Sequence, residues 1–409
     1  MISPDEALKI ILQSVKASEE TEEVSIIEAF GRTLGKEIYA KIDLPLFDNS
    51  AMDGYALKAI DTQGASPEVS VILEVIEEVP AGYFPTQKIS PGQATKIMTG
   101  APIPEGADTV LMKEFTEIKG NQIKVFKEAK VGENIRHRGE DVRIGQLVLE
   151  KGKLINPSVV GMLATLGKDK VRVVKRPTIA VLATGDELTK IDEILLPGKI
   201  HDSNSYALLS LIQKHGGVAK LLGIAKDNLD QIKEKIKEGF NYDFLVISGG
   251  VSVGDYDLVH QALEDLGVEI KFSQVAIKPG KPLTFGLLKD KLVFGLPGNV
   301  VSVIVCFEKF IRPVILKMLN QKDLKLPMVT AELKTAIEKK GNRRYFFMAK
   351  VTWENGKYWA LPTRSQSSGS LRSMIMANGL IIVPESVKKI PAQDMVLVEM
   401  LEFPSFLPA

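Results

Sequence analysis

Pro177-Thr178-Ile179-Ala180-Val181-Leu182-Ala183-Thr184-Gly185-Asp186-Glu187 is the stretch on which the fold turns. Residues 178–183 form a nearly unbroken apolar run, too short for a helix of ordinary length and stopped by a glycine. A run of that kind reads as a strand covered on both faces, which is the habit of parallel sheets. The pattern then repeats outward. A helix is predicted over 206–215, stopped by Gly216-Gly217, and a strand over 218–224. An amphipathic helix follows over 228–238, with Leu229, Ile232 and Ile236 on one face, then a strand over 244–247 ending in Ser248-Gly249-Gly250. A helix near 257–266 and a strand over 292–296 precede Pro297-Gly298-Asn299, which opens a long apolar helix reaching about Met318. Strands alternating with helices specify an α/β domain with a parallel sheet.

The flanks have another texture. At the start, Ser3, Pro4 and Glu6 make a capping box ahead of a helical stripe of Ala7, Ile10, Ile11 and Val15. From about residue 40, short β-like runs such as 71–75 alternate with Pro80-Ala81-Gly82, Pro91-Gly92, Pro102 and Pro104, the punctuation of a β-rich module. Residues 156–166 form another helical segment. After Leu326 the chain is β again: 345–353 and 357–361 flank Glu354-Asn355-Gly356, a strong hairpin signal, and strands follow over 379–383 and 395–401. The expected division is 1–42 plus 140–176 as a helical linking domain, 43–139 as an inserted β-rich domain, 177–325 as the α/β domain, and 326–409 as a small C-terminal β-barrel domain. A chain of 409 residues accommodates about two to four domains.

Composition narrows the function. Lysine and arginine total 52 against 51 acidic residues, so no global charge draws the chain to nucleic acid or an anionic membrane. The single cysteine, Cys306, excludes a disulfide framework within the chain and a cysteine-cluster zinc site. The four histidines, at 137, 201, 215 and 260, lack the spacing of a metalloprotease pair. The N-terminus lacks a signal-peptide pattern, and the longest uncharged run, 292–307, is interrupted by Gly295, Pro297 and Gly298. The expectation is a soluble cytoplasmic protein that binds neither nucleic acid nor membrane.

Three strand ends of the α/β domain carry unusual loops: Thr184-Gly185-Asp186-Glu187, Ser248-Gly249-Gly250-Val251-Ser252-Val253-Gly254-Asp255, and Leu296-Pro297-Gly298-Asn299. Ligands of open α/β sheets sit beyond the carboxyl ends of the strands. Glycines there allow close approach of backbone N–H groups to a phosphate. The same residues also suit plain tight turns. The acids Asp186, Glu187, Asp255 and Asp257 suit Mg²⁺, but Asp257 and Asp227 equally suit helix capping. Lys278 and Lys281, on the stiff Ile277-Lys278-Pro279-Gly280-Lys281-Pro282 arm, could meet an oxyanion or simply lie in an exposed turn. Residues 43–56, which include Asp48-Asn49-Ser50-Ala51-Met52-Asp53-Gly54-Tyr55-Ala56, follow neither the helical nor the strand period; they suit a substrate loop or an inter-domain connection.

The ordered set of 47–55, Met98-Thr99-Gly100-Ala101-Pro102, Arg138-Gly139-Glu140-Asp141, Thr184-Gly185-Asp186-Glu187-Leu188, Ser248-Gly249-Gly250-Val251-Ser252 to Asp257, Lys278-Pro279-Gly280-Lys281-Pro282 and Leu296-Pro297-Gly298-Asn299 closely resembles the molybdopterin molybdenumtransferase family. That family is MoeA in bacteria and archaea and the gephyrin E domain in animals. Ser367-Ser368-Gly369 and Ala377-Asn378-Gly379-Leu380 also fit. The resemblance implies an elongated, multi-domain subunit with a molybdopterin-binding α/β domain, and a homodimer whose active site lies between subunits, so that Asp53 and Glu187 meet across chains. It implies cleavage of adenylylated molybdopterin, insertion of molybdate at the dithiolene sulfurs, release of AMP, and a requirement for Mg²⁺. Tungstate, with the same charge and nearly the same size, is an equally admissible metal donor.

Carried over residue by residue, the resemblance makes Asp53, Asp141, Glu187, Lys278 and Lys281 the catalytic set and Glu187 with Asp257 the metal ligands. It makes Thr99, Thr184, Gly185, Ser248, Gly249, Gly250, Ser252, Asp227, Pro297, Gly298, Asn299 and Ser368 the substrate-binding set. Met348 departs from it, standing where a basic residue is common. Contact with a molybdopterin adenylyltransferase and with apo-molybdoenzymes is a further implication. Two other readings are a molybdopterin adenylyltransferase, which shares the α/β fold but not the extra domains, and a dimeric scaffold of the gephyrin kind.

Overall fold

The structure is a computed structural model that describes residues 1–250 and 258–403. Contacts divide the chain into two compact units, Met1–Gly35 with Gly152–Asn156 and Lys170–Ala409, and Lys36–Lys151 with Pro157–Asp169.

The first unit is built on a six-stranded sheet in the order Val218–Ala225, Thr178–Thr184, Phe244–Ser248, Lys291–Leu296, Thr284–Leu288, Glu269–Phe272. The first four strands are parallel. The last two are antiparallel additions at one edge. The two-residue period decides which side chain enters which core. Ile179, Val181, Phe244, Val246 and Phe294 face one core. Ala180, Leu182, Leu245, Ile247 and Val293 face the other. Helix Ser203–Lys214 supplies Leu208 and Ile212 to the first core, together with Ala7 and Ile11 of helix Pro4–Gln13 and the apolar Val300–Cys306 segment. Helices Leu229–Gly239 and Leu258–Asp265 cover the second face through Ile232, Ile236, Val259 and Leu263. The long helix after Asn299 does run to Met318, but one π-helical turn at Phe307–Ile311 interrupts it.

Helix starts follow local chemistry. The Ser3 hydroxyl accepts the Glu6 N–H at 3.2 Å, a cap worth about 1 kcal/mol. The helix expected from 206 begins at Ser203, because the buried Asp202 carboxylate accepts the Ser205 N–H at 3.0 Å. Asp227 does not cap the next helix: Asn228 does, accepting the Gln231 N–H at 3.0 Å.

The C-terminal part of this unit is a β-barrel. Its strands run Arg344–Glu354, Lys357–Pro362, Met328–Leu333, Met395–Met400 and Gly379–Val383, and the last pairs back to the first. Asn355 and Gly356, both at positive φ, turn the hairpin that pairs Glu354 with Lys357. Ile277–Lys278 adds a short parallel strand beside Arg344–Glu354.

The second unit carries a six-stranded half-barrel sheet ordered Thr109–Met112, Gly54–Leu57, Gln93–Ile97, Val71–Val79, Gln122–Val125, Thr116–Lys119. Tyr55, Leu57, Leu73 and Leu111 fill one core and Ala56, Val79, Ile97 and Val110 another. Among the described residues of the whole chain, no helix is long and apolar enough to cross a membrane.

Candidate active site

In the parallel sheet the chain leaves Thr178–Thr184 for the strand on one side, Val218–Ala225, and returns to Phe244–Ser248 on the other. The strand order therefore reverses between the carboxyl ends of Thr178–Thr184 and Phe244–Ser248, and a crevice at such a reversal is where α/β sheets hold ligands. A cleft of about 210 Å³ lies there, walled by Thr184, Glu187, Asn204, Ser248, Gly249 and Asn299 among others. Gly298 and Gly369 also line it.

Each wall has a local reason. Gly249 sits at φ +91°, and a Cβ there would lie 2.5 Å from the Thr184 carbonyl oxygen, so only glycine lets the two strand ends approach. Gly250 is at φ +68° with the Thr184 hydroxyl 2.7 Å from its Cβ position. Thr184 is 2 % exposed, and its Oγ1 has no hydrogen-bond partner among the described residues. A buried polar atom in that state costs free energy until a ligand or water meets it. Asn204 ties the ends together, its Nδ2 donating to Ser248 Oγ at 2.9 Å and to the Gly298 carbonyl at 2.8 Å. The barrel loop closes the rim: the Val301 N–H donates to the Ser368 carbonyl at 3.1 Å.

Asp227 has a different task from capping. The Asp186 N–H donates to the Asp227 carboxylate and the Asp227 N–H to the Asp186 carboxylate, each at 3.2 Å, which locks the loops after Thr178–Thr184 and Val218–Ala225 together. The Gly185 N–H adds a 3.2 Å bond to the Ala225 carbonyl. Glu187 is exposed beside them, and its carbonyl accepts the Ile200 N–H at 2.9 Å. Asp227, Lys278 and Lys281 are not among the walls of the cleft. Lys278 instead stands 5.0 Å from the Tyr345 ring, where its charge gains from the aromatic face. Lys281 has no ion-pair partner among the described residues, and its carbonyl accepts the Val275 and Leu283 N–H groups at 3.0 and 2.9 Å. Pro297 is buried and follows directly on the strand end.

The second unit presents Asp53, Thr99 and Asp141. Ser50 and the Thr99–Pro102 loop are bonded to one another: Gly100 N–H to the Ser50 carbonyl at 2.8 Å, and Ser50 N–H to the Ala101 carbonyl at 2.9 Å. Gly54 is obligatory, because a Cβ would lie 2.0 Å from the Leu111 carbonyl oxygen. Asp53 is thereby set at the head of its strand. Its Oδ1 accepts the Thr99 N–H at 2.9 Å and hydroxyl at 2.7 Å, and Lys113 Nζ lies 3.6 Å from Oδ2. The Thr99 amide and hydroxyl, with the Lys113 charge, hold the Asp53 carboxyl below the ordinary aspartate value. Asp141 is exposed, its N–H bonded to the Leu44 carbonyl at 3.0 Å.

Ser252 and Asp257 lie outside the described residues. Among the described residues no three histidine, cysteine or acidic side chains converge as a metal site, so these residues by themselves do not fit a preformed Mg²⁺ cage. Asn204 and Asp202 escaped the sequence reading; the available signal was Asp202-Ser203, an N-cap pattern beside a strand end.

Similarity to known proteins agrees with this layout. The family model described as MoeA N-terminal region (domain I and II) matches residues 2–167, probable molybdopterin binding domain matches 180–317, and MoeA C-terminal region (domain IV) matches 330–401. The chain belongs to the MoeA family. A molybdopterin molybdenumtransferase of Nostoc sp. is 37 % identical over 91 % of this chain and 87 % of its own. That of Bacillus subtilis is 37 % identical over 94 % of this chain and 90 % of its own. The crystal structure of the molybdopterin biosynthesis MoeA protein from Pyrococcus horikoshii superposes with a TM-score of 0.85 at 34 % identity, covering 98 % of this chain and 100 % of that one. MoeA relatives therefore share the flanking β modules as well as the α/β domain, which separates this chain from a single-domain adenylyltransferase.

Proposed function

We propose that this MoeA-family chain completes the molybdenum cofactor. It binds adenylylated molybdopterin, cleaves the pyrophosphate bond with release of AMP, and places molybdate or tungstate on the dithiolene, where two metal–sulfur bonds form as one oxo group of the oxyanion takes the two thiol protons and leaves as water. The observation that carries this reading is the switch-point cleft, where Gly249 packs against the Thr184 carbonyl and the Thr184 hydroxyl lacks a partner among the described residues. Such a cleft suits a phosphorylated ligand, with the Thr184 hydroxyl meeting a phosphate oxygen.

In the proposed chemistry an oxygen nucleophile forms a new P–O bond as the anhydride P–O bond breaks, and the displaced phosphate departs with the electron pair. Thr184, Ser248, Gly249, Gly250 and Asn299 hold the phosphates. Lys278 and Lys281 draw in the oxyanion and offset its charge as it nears the dithiolate. Asp53, kept ionised by Thr99, orients the oxygen species. Mg²⁺ dependence belongs to the proposal, because Mg²⁺ commonly takes one or two protein carboxylates plus substrate phosphates, and Glu187 offers one. The active assembly is a homodimer in which Asp53 of one copy serves the α/β domain of the other. The setting is the cytoplasm, with an adenylyltransferase supplying substrate and apo-molybdoenzymes taking product.

The test is direct. Purified protein is given adenylylated molybdopterin, Mg²⁺ and molybdate or tungstate, and both AMP and pterin-bound metal are measured. AMP release coupled to metal insertion, abolished in folded Glu187→Ala and Lys278→Ala variants, is the expected result. Tight binding of the nucleotide with no AMP release would overturn the reading in favour of a scaffold.

A further inference from the structure

The C-terminal barrel carries a second cleft that shares no residue with the first. It measures about 610 Å³, within the usual range of small-molecule sites. Three of its walls are cationic: Lys350, Arg364 and Arg372. Among the described residues no carboxylate lines it, and none of the three cations has an ion-pair partner. Several other cations on the barrel are paired instead. Lys334 pairs with Glu354, Lys357 with Glu332, Lys389 with Glu338, and Arg344 with Asp5 and Glu385. Three unpaired charges gathered at one concavity repel one another, and a bound anion relieves that cost.

The remaining walls say what kind of anion. Thr363, Ser365, Ser370 and Ser373 bring hydroxyls. The Ser370 hydroxyl donates to Ser373 Oγ at 2.9 Å. Leu361, Pro362 and Met376 supply an apolar side. Leu361 lies directly opposite Lys350 in the ladder, and Pro362 opposite Ala349, so the apolar side runs along the strand that faces the cation. Met348, on the same face of that strand two residues earlier, is 2 % exposed and belongs to the apolar core, so Lys350 is the cation this strand presents to the cleft. A bare tetrahedral oxyanion would leave most of this volume and the apolar wall unused.

We propose that this cleft is a second anion site, built for a phosphate ester with a compact apolar or aromatic body. The phosphate meets Lys350, Arg364 and Arg372, and the carbon body lies on Leu361, Pro362 and Met376. The site stands independently of the transferase reading.

Phenyl phosphate is the probe, with phenol, inorganic phosphate and a hexaglutamate peptide as comparisons. Arginine modification by phenylglyoxal, mapped by mass spectrometry, reports on Arg364 and Arg372 individually, and calorimetry reports affinity. Phenyl phosphate is expected to protect both arginines, to bind more tightly than inorganic phosphate, and to leave phenol without effect. Lys350→Gln or Arg364→Gln should weaken binding about tenfold or more, as loss of a charge-assisted bond implies, while Lys350→Arg retains it. Unchanged labelling at saturating phenyl phosphate would overturn the proposal. So would affinities of Lys350→Gln and Arg364→Gln unchanged from the parent, or protection by hexaglutamate alone, which would make the cleft a seat for an acidic peptide.

Discussion

The Asp53 carboxylate takes both the N–H and the hydroxyl of Thr99, at 2.9 and 2.7 Å, on a loop 46 residues further along the chain. The pairing explains why the Met-Asp-Gly-Tyr and Met-Thr-Gly-Ala-Pro strings occur together: one supplies the acid and the other its donors. Thr99→Val removes the hydroxyl and leaves the amide. The Asp53 carboxyl, held below its ordinary value of 3.8, should then titrate at higher pH. Carboxyl ¹³C NMR titration of the variant against the parent measures the shift. No upward movement would show that the amide and Lys113 alone set the ionisation.

Two glycines of the switch-point cleft should behave oppositely. Gly249→Ala places a methyl group 2.5 Å from a backbone oxygen in a residue at φ +91°, which should cost about 1–3 kcal/mol and weaken nucleotide binding. Gly298 is not at positive φ and has nothing within 4 Å of its Cβ position. Gly298→Ala should leave the stability within about 0.5 kcal/mol of the parent. Urea denaturation of the two variants, with AMP binding measured alongside, separates them.

Much of this was readable beforehand because each loop obeys a local rule. The strand ending at Thr184, the Asn355-Gly356 hairpin and the Ser3 cap all follow from period or turn chemistry within a few residues. The antiparallel edge was not readable, because its turn at Lys289-Asp290 lacks the usual Asn-Gly signature although Lys289 adopts φ 55°. For Asp227 the sequence leaves capping and a site role open, because capping is local, whereas its partner, Asp186, lies 41 residues away across two strands. Asn204 was invisible for the same reason: its bonds to Ser248 and Gly298 exist only once three strand ends are brought side by side.

Acid should unlatch the loop that carries the Asp53 motif. Asp43 accepts the Ile144 N–H and the Arg138 guanidinium, and Asp48 accepts the Arg138 N–H and His137. Those bonds hold both carboxyls below the ordinary aspartate value of 3.8. A group whose folded pKa is depressed stabilises fully above its unfolded value and loses that contribution as pH falls through the folded value. The contribution is therefore intact at neutral pH and lost below about pH 4. Arg138→Ala removes the guanidinium from Asp43 and should move the acid transition of the parent to higher pH. Circular dichroism followed against pH reads the midpoint, and an unmoved midpoint would show that the Ile144 amide suffices for Asp43.

Asp53 and Glu187 sit in different compact units of the chain, and the proposed homodimer completes each site with both copies. Mixing two inactive variants tests that arrangement. In a dimer of Asp53→Ala with Glu187→Ala, one site carries both lesions and the other carries neither. Free exchange of subunits makes about half the dimers mixed, each with one intact site of two, so about one quarter of parental activity should return. Co-refolded or co-expressed variants, assayed for AMP release, give the number. A site formed within one chain would leave every site in the mixture with one lesion, and activity would stay at the level of the separate variants.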